Sequence, residues 1–246
     1  YWQLAEACRG IAEACTEFST PVTGGNVSLY NETLDSDGKP APIYPTPVIG
    51  MVGLIPDLSR IAGQGWKTEG DVIYLLGLEV NTVSESVTLG ASEYLATLHS
   101  TIAGKPSTID FSLERSVQTA CRDGIRRGWI QSAHDSAEGG FAIALAESCL
   151  SGQYGAEITF DADPARWDHL LFAEGGARII VSVSREHQTD WETYLKLQLG
   201  AHWQKIGQVG GRSLRISTAN HLWLIDATIA EMQRSWQDAI ERRLAV

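Results

Sequence analysis

The sequence is short of positive charge and lacks any long apolar run. Its 246 residues carry 19 Lys and Arg against 30 Asp and Glu, a formal net charge of −11. Non-specific binding of nucleic acid needs a basic face, so this balance argues against it. No stretch approaches 18 uninterrupted apolar residues, so no membrane span is expected. An apolar fraction of 43% is enough for a packed core, which predicts a globular protein rather than a disordered one.

Cysteine is scarce and scattered. The four cysteines, Cys8, Cys15, Cys121 and Cys149, include no Cys-x-x-Cys pair, which argues against a disulfide framework and favours reduced thiols in the cytoplasm. The chain begins at Tyr1 rather than at Met, with no basic-then-apolar signal segment. We therefore expect a cytoplasmic fragment of a longer protein.

Several common enzyme signatures are missing. Gly104-Lys105 does not make a P-loop, because His99 stands where the upstream glycine should be and Pro106 replaces the hydroxyl residue. Gly-x-Ser-x-Gly, Gly-x-Gly-x-x-Gly and His-Glu-x-x-His do not occur. These absences argue against a P-loop nucleotidase, an α/β-hydrolase, a dinucleotide-binding fold and a zincin protease.

Hydrophobic periodicity gives the organisation of the first part of the chain. Apolar residues at three- and four-residue spacing predict an amphipathic helix over 2–17. A polar cluster rich in turn formers predicts a hairpin tip or loop over 33–42. Residues 43–44 and 47–54 are apolar and β-branched, which predicts β-structure.

The rest of the chain alternates between strand and helix patterns, which predicts an α/β or α+β layer architecture. An irregular stretch near residues 60–70 indicates a domain junction, giving domains 1–65 and 66–246. The strands are predicted over 72–77, 156–160, 178–184, 205–209, 213–217 and 221–225. The helices are predicted over 90–102, 112–127, 139–151, 186–199 and 226–243.

A glycine-rich segment over residues 21–32 carries the clearest ligand chemistry. Gly24 and Gly25 allow a sharp turn and close approach of a ligand, and bare N–H groups in such a turn suit phosphate oxygens. Asn26 offers an amide oxygen, a hard ligand that suits Mg²⁺, and Ser28 offers a hydroxyl. The alternative is an ordinary loop between a helix and a strand, since Gly and Asn dominate turns.

A second polar segment, Ser-Ala-His-Asp-Ser-Ala-Glu-Gly-Gly over residues 132–140, precedes an apolar helical run. His134 and Asp135 are candidate metal ligands, although metal sites usually bring several ligands together. Alternatively, Asp135 or Ser136 caps the helix and Glu138 lies in its first turn. Both interpretations stay open.

Glu174 and Arg178 stand four residues apart around Gly175 and Gly176. A salt bridge or a turn is the preferred interpretation, and such exposed pairs contribute about 0–1 kcal/mol. The alternative is that Glu174 faces a ligand cleft.

The dodecamer Pro-Val-Thr-Gly-Gly-Asn-Val-Ser-Leu-Tyr-Asn-Glu at 21–32 resembles the signature of formylglycinamidine ribonucleotide synthases, the PurL family. Further motifs resemble the C-terminal part of the small form of this family in the same order, at 44–53, 89–94, 132–140 and 171–174, followed by Arg178. A long string with ordered motifs over nearly the whole chain is a specific signal.

The resemblance implies a PurM/PurL-like fold, in which part of an N-type domain precedes a C-type domain of the aminoimidazole ribonucleotide (AIR) synthase kind. It implies an ATP-dependent ligase that converts formylglycinamide ribonucleotide and glutamine-derived ammonia to the amidine in purine biosynthesis. By position, Gly25 would contact ATP, Asn26 would ligate Mg²⁺ and Ser28 would touch the substrate. The implied partners are a PurQ-type glutaminase subunit and a small PurS-type subunit.

The family's catalytic histidine belongs to segments outside this chain, so we expect no catalytic residue here and no activity from the chain alone. Two alternatives remain. One is a non-catalytic half that binds a nucleotide or acts as a scaffold. The other is a different ATP-dependent member of the fold, such as AIR synthase or selenophosphate synthase.

Overall fold

A computed structural model of the chain describes residues 1–28, 32–44, 46–80, 82–161 and 166–244. The chain divides into two compact units, Tyr1–Pro56 and Asp57–Val246. The domain boundary placed from the sequence at 65/66 remains a prediction.

Among its described residues, the first unit contains one helix and one hairpin. Helix α1, Trp2–Phe18, confirms the helix predicted over 2–17, and it ends where Ser19 adopts a left-handed conformation with φ 55°. Strands β1, Glu32–Leu34, and β2, Pro40–Pro42, pair antiparallel. The turn between them is held by Asp35, whose Oδ1 accepts the N–H groups two and four residues later, each at 2.9 Å. The predicted turn cluster is therefore a hairpin tip.

The β-structure predicted over 43–44 and 47–54 is wrong for the described residues, which form no strand there. An extended apolar run becomes a strand only when its backbone groups pair with a neighbour. Val48, Val52 and Leu54 instead lie exposed in this unit. The sequence pattern shows that the run is apolar, but it does not show whether a neighbouring strand is present to pair with it.

The second unit is built on a seven-stranded sheet of order β4-β6-β3-β7-β5-β8-β9. The pair β5 and β8 is parallel, and the other five neighbouring pairs are antiparallel. All six residues of the interior strand β3 are buried. The strands are β3 Val72–Gly77, β4 Ile130–Asp135, β5 Ala156–Phe160, β6 Arg178–Val183, β7 Trp203–Val209, β8 Ser213–Thr218 and β9 Trp223–Thr228.

Helices cover both faces of this sheet, as the alternation of β3 side chains shows. Ile73 and Leu75 belong to a core with residues of α4 and α5, whereas Tyr74 and Leu76 belong to a core with residues of α3 and α6. The predicted α/β layer architecture is confirmed. The helices are α2 Glu93–His99, α3 Phe111–Arg127, α4 Gly140–Gly152, α5 Trp167–Phe172, α6 Gln188–Gln198, α7 Ile229–Gln237 and α8 Ala239–Leu244, with a 3₁₀ turn at Arg185–His187.

The helix predicted over 226–243 is wrong at its start and in its middle. Strand β9 continues to Thr228, which caps α7 by a capping box with Glu231, so the helix begins at Ile229. A break at Asp238 then separates α7 from α8. Periodicity alone did not reveal the end of β9 or the break at Asp238, because the segment remains amphipathic across both positions.

Candidate functional site

The glycine-rich loop of the first unit leaves its predicted site residues open to solvent. A Cβ built on Gly24 or Gly25 meets no atom within 4 Å, and Asn26 and Ser28 are exposed. The amide Nδ2 of Asn26 donates to Oγ of Ser28 at 3.1 Å. This bond brings the two predicted ligand-binding side chains together and uses the amide nitrogen of Asn26 rather than its oxygen. Residues 29–31 of the motif lie outside the described residues.

The loop alone does not make a metal centre. The described part of the chain holds no group of three or more His, Cys, Asp or Glu side chains that could bind a metal ion. Mg²⁺ takes about six oxygen ligands and commonly keeps waters or substrate phosphates among them. Asn26 has the chemistry of one such ligand, so the rest of the shell would have to come from elsewhere.

His134 and Asp135 end strand β4, the edge strand that the sequence patterns did not predict. Nε2 of His134 lies 2.7 Å from a carboxylate oxygen of Glu147 on α4, and Nδ1 lies 3.3 Å from Oδ1 of Asp135. The proposed cap is wrong, because the N-cap of α4 is Gly139 at φ 77° and no side chain caps it. The structure thus gives His134 a helix-to-strand contact.

Ser136 and Arg178 lie opposite each other where β4 and β6 meet the loop before α4, with Ser136 N donating to Arg178 O at 3.0 Å. Both are 2% exposed. Nη2 of Arg178 donates to the carbonyl of Ala173 at 2.6 Å, whereas its Nε and Nη1 find no partner among the described residues. Burial lowers the pKa of Arg178 to about 10, because the charged form loses hydration.

Glu174 does not pair with Arg178 in the described chain, so the salt-bridge interpretation is wrong. Oε1 of Glu174 accepts the backbone N–H groups of Glu93, the first residue of α2, and of Gly139, the N-cap of α4, each at 2.9 Å. Its backbone also exchanges two hydrogen bonds with Thr88. One carboxylate oxygen therefore joins the starts of two helices, where negative charge is favourable.

This role of Glu174 had no local signal in the sequence. Its two donors lie 81 and 35 residues away along the chain, so only the fold brings them together. The alternative that Glu174 faces a ligand cleft stays a prediction for its second oxygen.

Two models of one protein family match most of the chain. Residues 68–217 match the family model described as AIR synthase related protein, C-terminal domain, and residues 1–55 match its N-terminal domain. The chain belongs to the AIR synthase related protein family. This confirms the predicted succession of an N-type and a C-type domain of that family.

Curated members of the family are similar over the whole chain. Phosphoribosylformylglycinamidine synthase subunit PurL from Cyanothece sp. is 63% identical, and the protein of the same name from Nostoc punctiforme is 61% identical. Each match covers 100% of this chain but 32% and 31% of the relative, so the chain spans about a third of their length. The resemblance drawn from the motifs is confirmed by these names.

Solved structures of the family share the fold. A structure of PurLQS from Thermotoga maritima matches with a TM-score of 0.54 and 16% identity, covering 70% of this chain and 27% of that one. T. maritima PurL complexed with FGAR gives the same TM-score and identity, covering 71% and 30%. At this identity the comparison supports the fold alone. Within the described residues, each helix is too short or too polar to cross a bilayer.

Proposed function

We propose that this chain forms part of an ATP-dependent ligase that converts formylglycinamide ribonucleotide and glutamine-derived ammonia into formylglycinamidine ribonucleotide. The observation that carries the proposal is 63% identity, over all of this chain, to a protein named phosphoribosylformylglycinamidine synthase subunit PurL. Since the chain spans 32% of that relative, the activity is proposed for the whole protein and not for this part alone.

Within this proposal, Gly25 contacts ATP, Asn26 is a ligand of Mg²⁺ and Ser28 contacts the substrate. The open glycine backbone supports these roles, and so does the side chain of Asn26, which bonds Ser28 through its amide nitrogen rather than its oxygen. Phosphoryl transfer depends on positioned donors and Mg²⁺ to stabilise charge on the transferred group. A solved PurL of T. maritima is a complex with ATP, which supports ATP as the nucleotide.

The proposed partners are a PurQ-type glutaminase subunit, which supplies ammonia, and a small PurS-type subunit. The solved PurLQS structure from T. maritima supports an assembly of this kind. We place the reaction in the cytoplasm, where its nucleotide substrates are found.

The decisive measurement is ammonia-dependent release of ADP in the presence of formylglycinamide ribonucleotide. The sample is a protein that contains this chain and is as long as the relatives. Asn26→Ala removes the proposed Mg²⁺ ligand and is expected to lower the rate on the order of 10- to 100-fold. Asn26→Asp keeps an oxygen at that position and is expected to retain more of the rate. Asn220→Ala, an exposed turn residue of the second unit, is the matched control.

Absence of substrate-dependent ADP release by the unaltered protein would reject the ligase. A panel with the substrates of AIR synthase and selenophosphate synthase then tests the other ATP-dependent members of the fold.

A second candidate is a non-catalytic half that binds a nucleotide or acts as a scaffold. The hydrogen bond between Asn26 and Ser28, which links the two side chains within the loop without a ligand, supports such a structural role. It predicts that Asn26→Ala lowers the melting temperature of the whole protein and leaves its rate unchanged.

A further inference from the structure

Helices α2, α4 and α5 of the second unit frame an open groove of about 370 Å³. Four apolar or aromatic side chains form its floor, and two of them are exposed: Leu98 by 66% and Ile143 by 40%. The other two, Tyr94 and Phe172, stack with ring centroids 5.0 Å apart and an interplanar angle of 13°. The floor therefore has an aromatic end, where the two rings stack, and an accessible aliphatic end.

The charged residues that line this groove are all acidic. Glu93, Glu138 and Glu147 line it, and none of its lining residues is Lys or Arg. Glu147 contacts His134, and one oxygen of Glu174 accepts a hydrogen bond from the backbone N–H of Gly139, which lines the groove. The nearby cation Arg166, which interacts with Tyr94, is paired with Asp168, so a ligand in the groove meets mainly negative charge at its rim.

The arrangement does not suit a metal ion. No three acidic or histidine side chains of the described chain converge on one point that could hold such an ion. The carboxylates of Glu93, Glu138 and Glu147 instead surround an apolar floor. Carboxylates around an apolar surface suit an organic cation with an apolar body, whose stem packs on the floor while its charge meets the rim.

We propose that this groove docks a segment of a partner polypeptide in which Lys or Arg stands beside aliphatic or aromatic residues. A polypeptide is the better occupant than a small molecule because the groove is open, whereas small-ligand sites enclose most of the ligand surface. Charge complementarity sets the sign of the partner, and Leu98 and Ile143 provide the apolar contact that desolvation makes favourable.

The test is a selection of random short peptides displayed on phage against the whole chain, with counter-selection against Leu98→Lys. The expected result is enrichment of peptides that carry Lys or Arg next to apolar residues. Synthetic peptides of the enriched sequences are then titrated by fluorescence anisotropy. Binding is expected to weaken several-fold when NaCl rises from about 0.05 M to about 0.5 M, since rim charges are screened.

Substitutions separate the two parts of the groove. Leu98→Lys puts a cation on the apolar floor and is expected to weaken binding about tenfold or more. Glu138→Gln removes one rim charge and is expected to weaken it about two- to fivefold. Leu197→Lys, on α6, is the matched control, since Leu197 is 80% exposed and does not line the groove. The three substitutions are of exposed residues, so unchanged melting temperatures are expected.

The proposal would be overturned if no peptide is enriched or if the enriched peptides are acidic. It would also be overturned if the enriched peptides bind the Leu98→Lys variant as tightly as the unaltered chain. Self-association that Leu98→Lys abolishes, seen by sedimentation, would replace the partner by a second copy and would also overturn it. The proposal concerns the second unit alone, so loss of the ligase assignment would leave it standing.

Discussion

Asp71 is a buried carboxylate directly before strand β3, an interior strand of the sheet. Its side chain is nearly inaccessible, and Oδ2 has no hydrogen-bond partner among the described residues. Two backbone hydrogen bonds hold Asp71 in place: its N–H donates to the carbonyl of Thr68, and its carbonyl accepts from the N–H of Val209. Burial raises the pKa of Asp71 from 3.8 to about 6, and the charge of Lys67 opposes this only in part.

This pKa makes stability depend on pH. Because the native pKa lies above the unfolded one, the native state binds the extra proton between about pH 4 and 6. The free energy of unfolding therefore falls as the pH rises through that window and stays level above it. Asp71→Asn removes the charge, so it should stabilise the chain at pH 7.5 by up to about 2–3 kcal/mol and change little at pH 4.

Urea unfolding followed by tryptophan fluorescence at both pH values measures the difference. Asp37→Asn, in the exposed turn of the hairpin, is the control and should show no such pH-dependent gain. Equal effects of Asp71→Asn at pH 4 and pH 7.5 would contradict the buried-charge argument.

Glu174 is the residue on which two helix starts depend. Glu174→Ala leaves the N–H groups of Glu93 and Gly139 without their acceptor. Hydrogen bonds to a charged group contribute about 1.5–3 kcal/mol each, so the loss of both should lower the free energy of unfolding by about 3–6 kcal/mol. Glu174→Gln keeps an acceptor oxygen without the charge and should cost about half as much.

Urea unfolding again gives the comparison, with the exposed Glu79→Ala as the matched control. Amide hydrogen exchange locates the effect, since the N–H groups of Glu93 and Gly139 should lose protection first. A loss of stability without faster exchange at these two positions would contradict the role of Glu174 as the acceptor that links the starts of α2 and α4.

At the scale of elements, the sequence predicts well where a pattern belongs to one segment. Strand β3 was predicted over 72–77 and α3 nearly at its observed ends, because a run of six buried residues and a strong amphipathic stripe need no partner to be recognised. Asp110 also caps α3 by accepting two backbone N–H groups, a local signal.

Elements that depend on a neighbour escaped prediction. Strand β4 has the sequence Ile-Gln-Ser-Ala-His-Asp, which lacks a β-branched run, and it is a strand because β6 supplies its backbone partners. Helix α5 has six residues, too few to show a helical period. Conversely, residues 47–54 have the composition of a strand but no ladder among the described residues.

The candidate site divides in the same way. Gly25, Asn26 and Ser28 were found because their chemistry is contiguous, and the structure joins Asn26 to Ser28 by a hydrogen bond. The roles of Glu174 and Glu147 needed the fold, since their partners lie on other elements. The ligands proposed for Gly25, Asn26 and Ser28 remain predictions.

At the scale of the whole molecule, the second unit depends on contacts between distant parts of the chain. Strand β3 lies between β6 and β7, which begin at Arg178 and Trp203. Strands β5 and β8, which pair in parallel, are likewise separated along the sequence by α5, β6, α6 and β7. Such pairing raises the contact order and slows folding relative to a chain of local hairpins.

This order of the strands has a consequence for the chain while the ribosome is still making it. At about 5–20 residues per second, β3 leaves the ribosome roughly 5–20 s before β6 exists to cover it. Nascent chains arrested before Arg178 should therefore be cut by protease within 72–77, and chains arrested after Val209 has emerged should resist. Protection of the shorter chains would contradict this order. During that interval an apolar strand without neighbours is a binding site for chaperones, so the yield of the protein in cells should depend on them more than its final stability suggests.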